Sequence, residues 1–175
     1  MRDEEVASIE PGYALGRLER AINTVSEHED PEVRARAAKK VDKWVAVLTG
    51  AGDKAFTAGN DLKATATGGN QKGLPATGFA GLSSRFDLEK PIIAAVNGFA
   101  MGGGFETALS CDIIIASENA KFALPEVKVG FFASASGVQR LSRYIGRLAA
   151  QEMMFTGRTI DAAEALRLGC VNEVV

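Results

Sequence analysis

The stretch KPIIAAVNGFAMGGGFETALSCD, from Lys90 to Asp112, leaves this chain few ways to fold. Ile92 to Val96 is an apolar run of strand length. Asn97-Gly98 is a turn signal. Gly102, Gly103 and Gly104 follow, and Phe105-Glu106-Thr107-Ala108-Leu109 reads as the first turns of a helix. A strand, a glycine turn and a helix start together aim backbone N–H groups at one point. Glycine lets another group come close to that backbone. Glu106 stands just inside the helix, beside those donors. Such a corner suits negative charge developing on a substrate next to a carboxylate.

The flanking segments alternate between strand and helix patterns, which predicts an α/β fold. Leu15, Leu18, Ile22 and Val25 recur at helical spacing, predicting a helix from Tyr13 to about His28. Pro31 to Lys43 opens with proline at a helix start. Trp44 to Thr49 reads as a buried strand and Gly50 to Asp53 as a turn, after which Phe56 to Leu62 leaves the strand layer. Ala64 to Gly78 reads as loop, and Phe79 to Leu88 as helix. Ile113 to Ala116 is a second buried strand, and Lys121 to Leu124 a short one closed by Pro125-Glu126. Gly137 to Ile145 and Arg147 to Phe155 read as helices broken at Gly146. Asp161 and Glu164 form a capping-box pattern before a helix that stops at Gly169. Val171 to Val175 begins a strand.

With 175 residues, 46% hydrophobic and 24% charged, the chain is expected to form one globular domain. A net charge of −2 gives no basic footprint for nucleic acid or an anionic membrane. No charged-then-apolar signal and no spanning apolar run is present, so a cytoplasmic location is expected. Cys111 and Cys170 lack CxxC spacing and read as packed, reduced thiols. His28, the one histidine, sits in Glu-His-Glu-Asp and reads as a solvated loop residue, which leaves no Ser–His–Asp arrangement.

Three features carry candidate chemistry. The triple glycine lacks the Lys-Ser/Thr of a phosphate loop and does not fit GxGxxG, so it reads either as an oxyanion site of backbone donors or as a tight packing turn. Glu106 either complements the helix dipole or acts in catalysis. Glu126, between Pro125 and Val127, is either an exposed turn residue or a desolvated acid usable near neutral pH.

Together, LTGAGDKAFTAGNDL, KPIIAAVNGFAMGGGFETALSCDIIIAS, KFALPEVKVG and TGRTIDAAEALRLGCVNEVV resemble the crotonase family, the enoyl-CoA hydratase/isomerase superfamily, over most of Trp44 to Val175. The resemblance implies a spiral of ββα units in one domain with its core at 44–175. It implies acyl-CoA thioester substrates, coenzyme A as part of the substrate with no metal or other cofactor, and a homotrimer or hexamer. Its shared device is two backbone N–H groups, here those of Asn60 and Gly103, that hold the thioester oxygen. A donor of that kind contributes about 3–4 kcal/mol. Glu106 and Glu126 fall where hydratases of the family hold water, implying syn addition of water to a trans-2-enoyl-CoA. Ala58, Asp61, Leu62, Phe99, Gly102, Pro125 and Gly130 fall where substrate is bound. Relatives that keep one glutamate make a Δ3,Δ2-enoyl-CoA isomerase the alternative.

The chain departs from the family pattern in several places. Asn60 stands where a small residue is usual, and Phe131 to Gly137 replaces a Pro- and Gly-rich turn over the acyl group, its phenylalanines pointing to a bulky or aromatic acyl group. Arg36 to Lys43 reads as an insertion. The family's opening strand pair, its Arg-Pro…Asn-Ala segment and its C-terminal helices find no match. The expectation is a shortened member, and a non-catalytic remnant is the second alternative.

Overall fold

The computed structural model describes residues 29–33, 35–36, 45–61, 63, 67 and 74–175. The chain divides into two compact units, 1–46 and 47–175. In the first, residues 31–33 and 35–36 are helical. Asp30 Oδ1 accepts the Glu32 N–H at 2.8 Å, so the helix start expected at Pro31 is a capped one. The helix expected at Tyr13 to His28, and Trp44, lie outside the described residues.

The second unit is a spiral of strand pairs followed by helical segments. β1 (Ala46–Thr49), β3 (Ile92–Val96), β5 (Ile113–Ala116) and β8 (Glu173–Val174) form one sheet in that order. β2 (Ala55–Thr57), β4 (Phe99–Met101), β6 (Lys121–Ala123) and β7 (Ile160–Asp161) form the other. The chain thus places one strand in each sheet and then turns outward. β3 pairs parallel with β5, and β4 parallel with both β2 and β6. Among the described residues, four α-helices accompany the sheets: α1 (Gly103–Leu109), α2 (Gly137–Ile145), α3 (Arg147–Thr156) and α4 (Ala162–Leu168). The α/β spiral of ββα units expected from the resemblance is the fold observed.

α1 is the centre of this unit. Every residue from Gly104 to Leu109 is buried, and Phe105 packs against Phe122 of β6 with ring centroids 5.2 Å apart. A helix so enclosed needs no polar face, which is why its sequence lacks amphipathic spacing. Asn97 does more than end β3. Its Oδ1 accepts the Gly50 N–H at 3.0 Å and its Nδ2 donates to Gly52 O at 2.8 Å, pinning the β1–β2 turn. Asp161 Oδ1 accepts the Glu164 N–H at 2.8 Å, as the capping pattern predicts. The Glu164 carboxylate instead pairs with Arg158. Cys111 and Cys170 are free and buried. Burial pushes their thiols up to about 11 and about 12, which leaves them unreactive near neutral pH.

Three expectations are corrected. Phe79 to Leu88 is not a helix: a 3-10 turn covers Phe79–Gly81 and the chain then runs irregularly to Glu89. Ala80 has φ 54° and Gly78 and Gly81 lie in the same left-handed region, which breaks any α-helix there. β1 is not fully buried, because it ends its sheet order and leaves Val47 58% exposed. Phe56 and Thr57 do not leave the strand layer; they form β2. β4 is an addition, too short at three residues to reveal an alternating pattern.

Candidate active site

Gly102 makes the turn from β4 into α1 with φ 54°, ψ −123°, and its N–H donates to Ala123 O at 2.9 Å. A Cβ there would stand 3.0 Å from Glu126 Oε1 and 4.0 Å from Pro125 Cδ. Gly103 is the first residue of α1, so its N–H has no carbonyl one turn back to bond. A Cβ on Gly103 would meet two ring atoms of Phe79 at 2.8 Å and Gly59 Cα at 3.4 Å. Gly59, at φ 82°, presses on the same corner: its Cβ would stand 2.8 Å from Gly103 N and 2.9 Å from Gly104 N. On Gly104 a Cβ would run into Thr57 O. The glycine run is therefore close-packed, and the loop after β2 lies directly against the start of α1.

Glu106 is 4% exposed on the first turn of α1. Its Oε1 accepts the Gly137 N–H at 2.8 Å. Burial pushes its carboxyl up to about 7, and the nearby Glu126 carboxylate adds to the rise; hydrogen bonds from the Gly137 and Ala135 backbone oppose it. Glu126 sits on a 3-10 helix, Pro125–Val129, that follows β6. Burial raises its carboxyl above the ordinary value. Its Oε2 is buried with no hydrogen-bond partner among the described residues. The two acids reach one corner from different elements, one from α1 and the other over Gly102. Near neutral pH such a pair can hold one proton and exchange it with a bound molecule.

The other predicted residues divide. Pro125 and Gly102 touch the corner. Ala58, Asn60 and Asp61 form the exposed loop after β2, joined to it through Gly59. Phe99 opens β4, opposite Ala55 and Lys121, and the strand leads from it into the glycines. Gly130 is exposed at φ 72° and closes the 3-10 helix. Leu62 lies outside the described residues. Phe131 and Phe132 stack on each other, each 64% exposed, so they do not form an enclosed acyl wall.

Sequence reasoning missed Gly137, Ala135 and Phe79. A helix start was legible at Gly137, but nothing in the sequence tells which carboxylate its N–H meets. Phe79 also borders a cavity of about 310 Å³ with Leu48, Phe56, Gly59, Leu82 and Thr107. Neither glutamate lines it. Among the described residues, no group of three or more His, Cys, Asp or Glu is arranged to hold a metal ion. No described helix is long and apolar enough to cross a membrane.

The family profile described as Enoyl-CoA hydratase/isomerase matches residues 21–175. The carnitinyl-CoA dehydratase of Proteus mirabilis (strain HI4320) is 49% identical over 156 residues, 89% of this chain and 60% of that protein. That of Salmonella enteritidis PT4 is 50% identical over 148 residues, 84% and 53% of the two chains. A carnitinyl-CoA dehydratase structure from Mycobacterium avium 104 superposes with a TM-score of 0.70 at 45% identity, covering 90% of this chain and 56% of that one. The enoyl-CoA hydratase structure from Mycobacterium tuberculosis H37Rv gives 0.69 at 34% identity, with 93% and 58% covered. The chain thus spans 53% to 60% of the length of these two curated relatives.

Proposed function

The chain belongs to the enoyl-CoA hydratase/isomerase family, and on that premise we propose that its protein is a hydro-lyase interconverting 3-hydroxyacyl-CoA and trans-2-enoyl-CoA. The observation that carries the reading is the pair of raised carboxyls, Glu106 and Glu126, at the Gly102–Gly103 corner. In the hydrating direction, one carboxylate takes a proton from water as its oxygen bonds to Cβ. The pair of the Cα–Cβ double bond shifts into the Cα–carbonyl bond and the carbonyl pair moves onto the thioester oxygen, giving an enolate. The other carboxyl group then delivers a proton to Cα. Dehydration reverses each step.

The N–H groups of Asn60 and Gly103 hold the enolate oxygen in this reading. Two donors in place before charge develops cost no reorganisation at the moment of reaction. The close packing of Gly59 on Gly103 supports the assignment, because it keeps the two loops together. Proton transfer of this kind requires no metal or redox cofactor, and coenzyme A enters as part of the substrate. An isomerase needs one proton shuttle; the second raised carboxyl favours the hydro-lyase.

The relatives' names point to the carnitine acyl group, a 3-hydroxy acid bearing a quaternary ammonium, in the dehydrating direction. Such a cation is attracted to aromatic faces, and the ring of Phe79 stands beside Gly103. For the whole protein, the family resemblance supports a homotrimer or hexamer, to be checked by mass measurement in solution.

The test is turnover of crotonyl-CoA and carnitinyl-CoA, followed by the enoyl-thioester absorbance, in wild type and in Glu106→Gln and Glu126→Gln. Each variant is expected to lose about 10²–10⁴-fold in rate. Wild-type rates in both would end the assignment.

A further inference from the structure

Arg140, on the first turns of α2, joins three segments. Its Nε donates to Ser136 Oγ at 2.8 Å, its Nη1 to Leu109 O at 3.3 Å and its Nη2 to Ser83 O at 3.2 Å. Each acceptor leads to a different part of the site. Ser136 precedes Gly137, whose N–H holds Glu106. Leu109 is the last residue of α1, which carries Gly103 and Glu106. Ser83 accepts the Phe79 N–H on its own Oγ at 2.7 Å, and the Phe79 ring lies over Gly103.

Ser136 is held at φ 89°, ψ 0°, a left-handed conformation that L side chains avoid. From that conformation the chain enters α2 with the Gly137 N–H donating to Glu106. A guanidinium is planar and rigid, so three bonds from one fork fix three segments relative to one another.

We propose that Arg140 is a positioning residue: through its three bonds it holds Gly137 against Glu106 and Phe79 against Gly103, and so sets the geometry of the two groups that meet the substrate. The inference rests on the hydro-lyase reading for its kinetic consequence, but not for its structural one. Glu126, on the 125–129 turn, is the charged group that faces Glu106 across the corner.

The test compares Arg140→Ala, Arg140→Lys and Ser136→Ala with wild type, by kcat and KM and by amide hydrogen exchange. Arg140→Ala is expected to lose roughly 10- to 100-fold in kcat with KM changed by less than about threefold. Exchange at the Gly137 and Phe79 amides is expected to rise about tenfold or more, while α3 and α4 keep wild-type protection. Lysine keeps the charge but not the fork, so Arg140→Lys is expected to resemble Arg140→Ala. Ser136→Ala cuts one branch and is expected to loosen Gly137 but leave Phe79 unchanged. Wild-type exchange at both amides in Arg140→Ala, or uniform acceleration across the chain, would overturn the proposal. So would a lysine variant that behaves as wild type. If Arg140→Ala does not fold, the other two variants decide. Wild type without turnover would overturn the hydro-lyase reading alone, because exchange still decides the role of Arg140.

Discussion

Glu106 Oε1 accepts the Gly137 N–H at 2.8 Å, across 31 residues of sequence. The bond joins the first turns of two helices and, with the Ala135 backbone, holds a carboxylate that is otherwise enclosed. A Cβ on Gly137 would stand 2.9 Å from Glu106 Oε1, 3.0 Å from its Cγ and 2.7 Å from Ala133 Cβ. Gly137→Ala is therefore expected to push Glu106 out of place and cut kcat by roughly 10- to 100-fold. Steady-state kinetics alongside a thermal melt will separate this from unfolding.

The raised carboxyl of Glu106 makes stability depend on pH in a definite direction. Its value rises from the ordinary 4.5 to about 7 on folding. Between those values the native state binds more protons than the unfolded one, so stability falls as pH rises. The contribution is fully present below about 4.5 and lost as pH climbs through about 7. A rise of that size corresponds to about 3 kcal/mol. Urea denaturation of wild type at pH 5 and pH 8 is expected to show the loss, and Glu106→Gln to flatten most of it. The partner carboxyl, Glu126, is also raised and adds a slope of the same sign.

Gly59 tests the other half of the corner. Its φ of 82° already disfavours a side chain, and the atoms a Cβ would meet are backbone atoms of Gly103 and Gly104, which cannot rotate away. Gly59→Ala is expected to part the β2 loop from α1 and lower kcat by about 10²–10³-fold, the loss of one oxyanion donor. Kinetics on the folded variant will check it, and an unchanged kcat would remove Asn60 from the oxyanion assignment.

Phe105 anchors the helix that carries the site. It is fully buried and packs on Phe122. Phe105→Ala is expected to cost about 3–5 kcal/mol, because α1 is enclosed and the cavity cannot collapse freely. Chemical denaturation measures the loss.

Much was legible in the sequence because the signals are local. β3 and β5 are apolar runs read to the residue, Gly146 separates α2 from α3, and Asp161 caps α4 from three residues away. The glycine corner and both glutamates could be named from spacing and family resemblance. The sequence determined, by itself, that a strand and a glycine turn lead into a helix bearing an acid, since those choices depend on backbone freedom and short-range hydrogen bonds. Only the tertiary structure decided that Phe79 turns over Gly103 instead of opening a helix, and that Gly137 is the donor to Glu106. Each of these rests on contact between residues far apart in the chain, and such contacts leave no period or cap for a reader of the sequence to find.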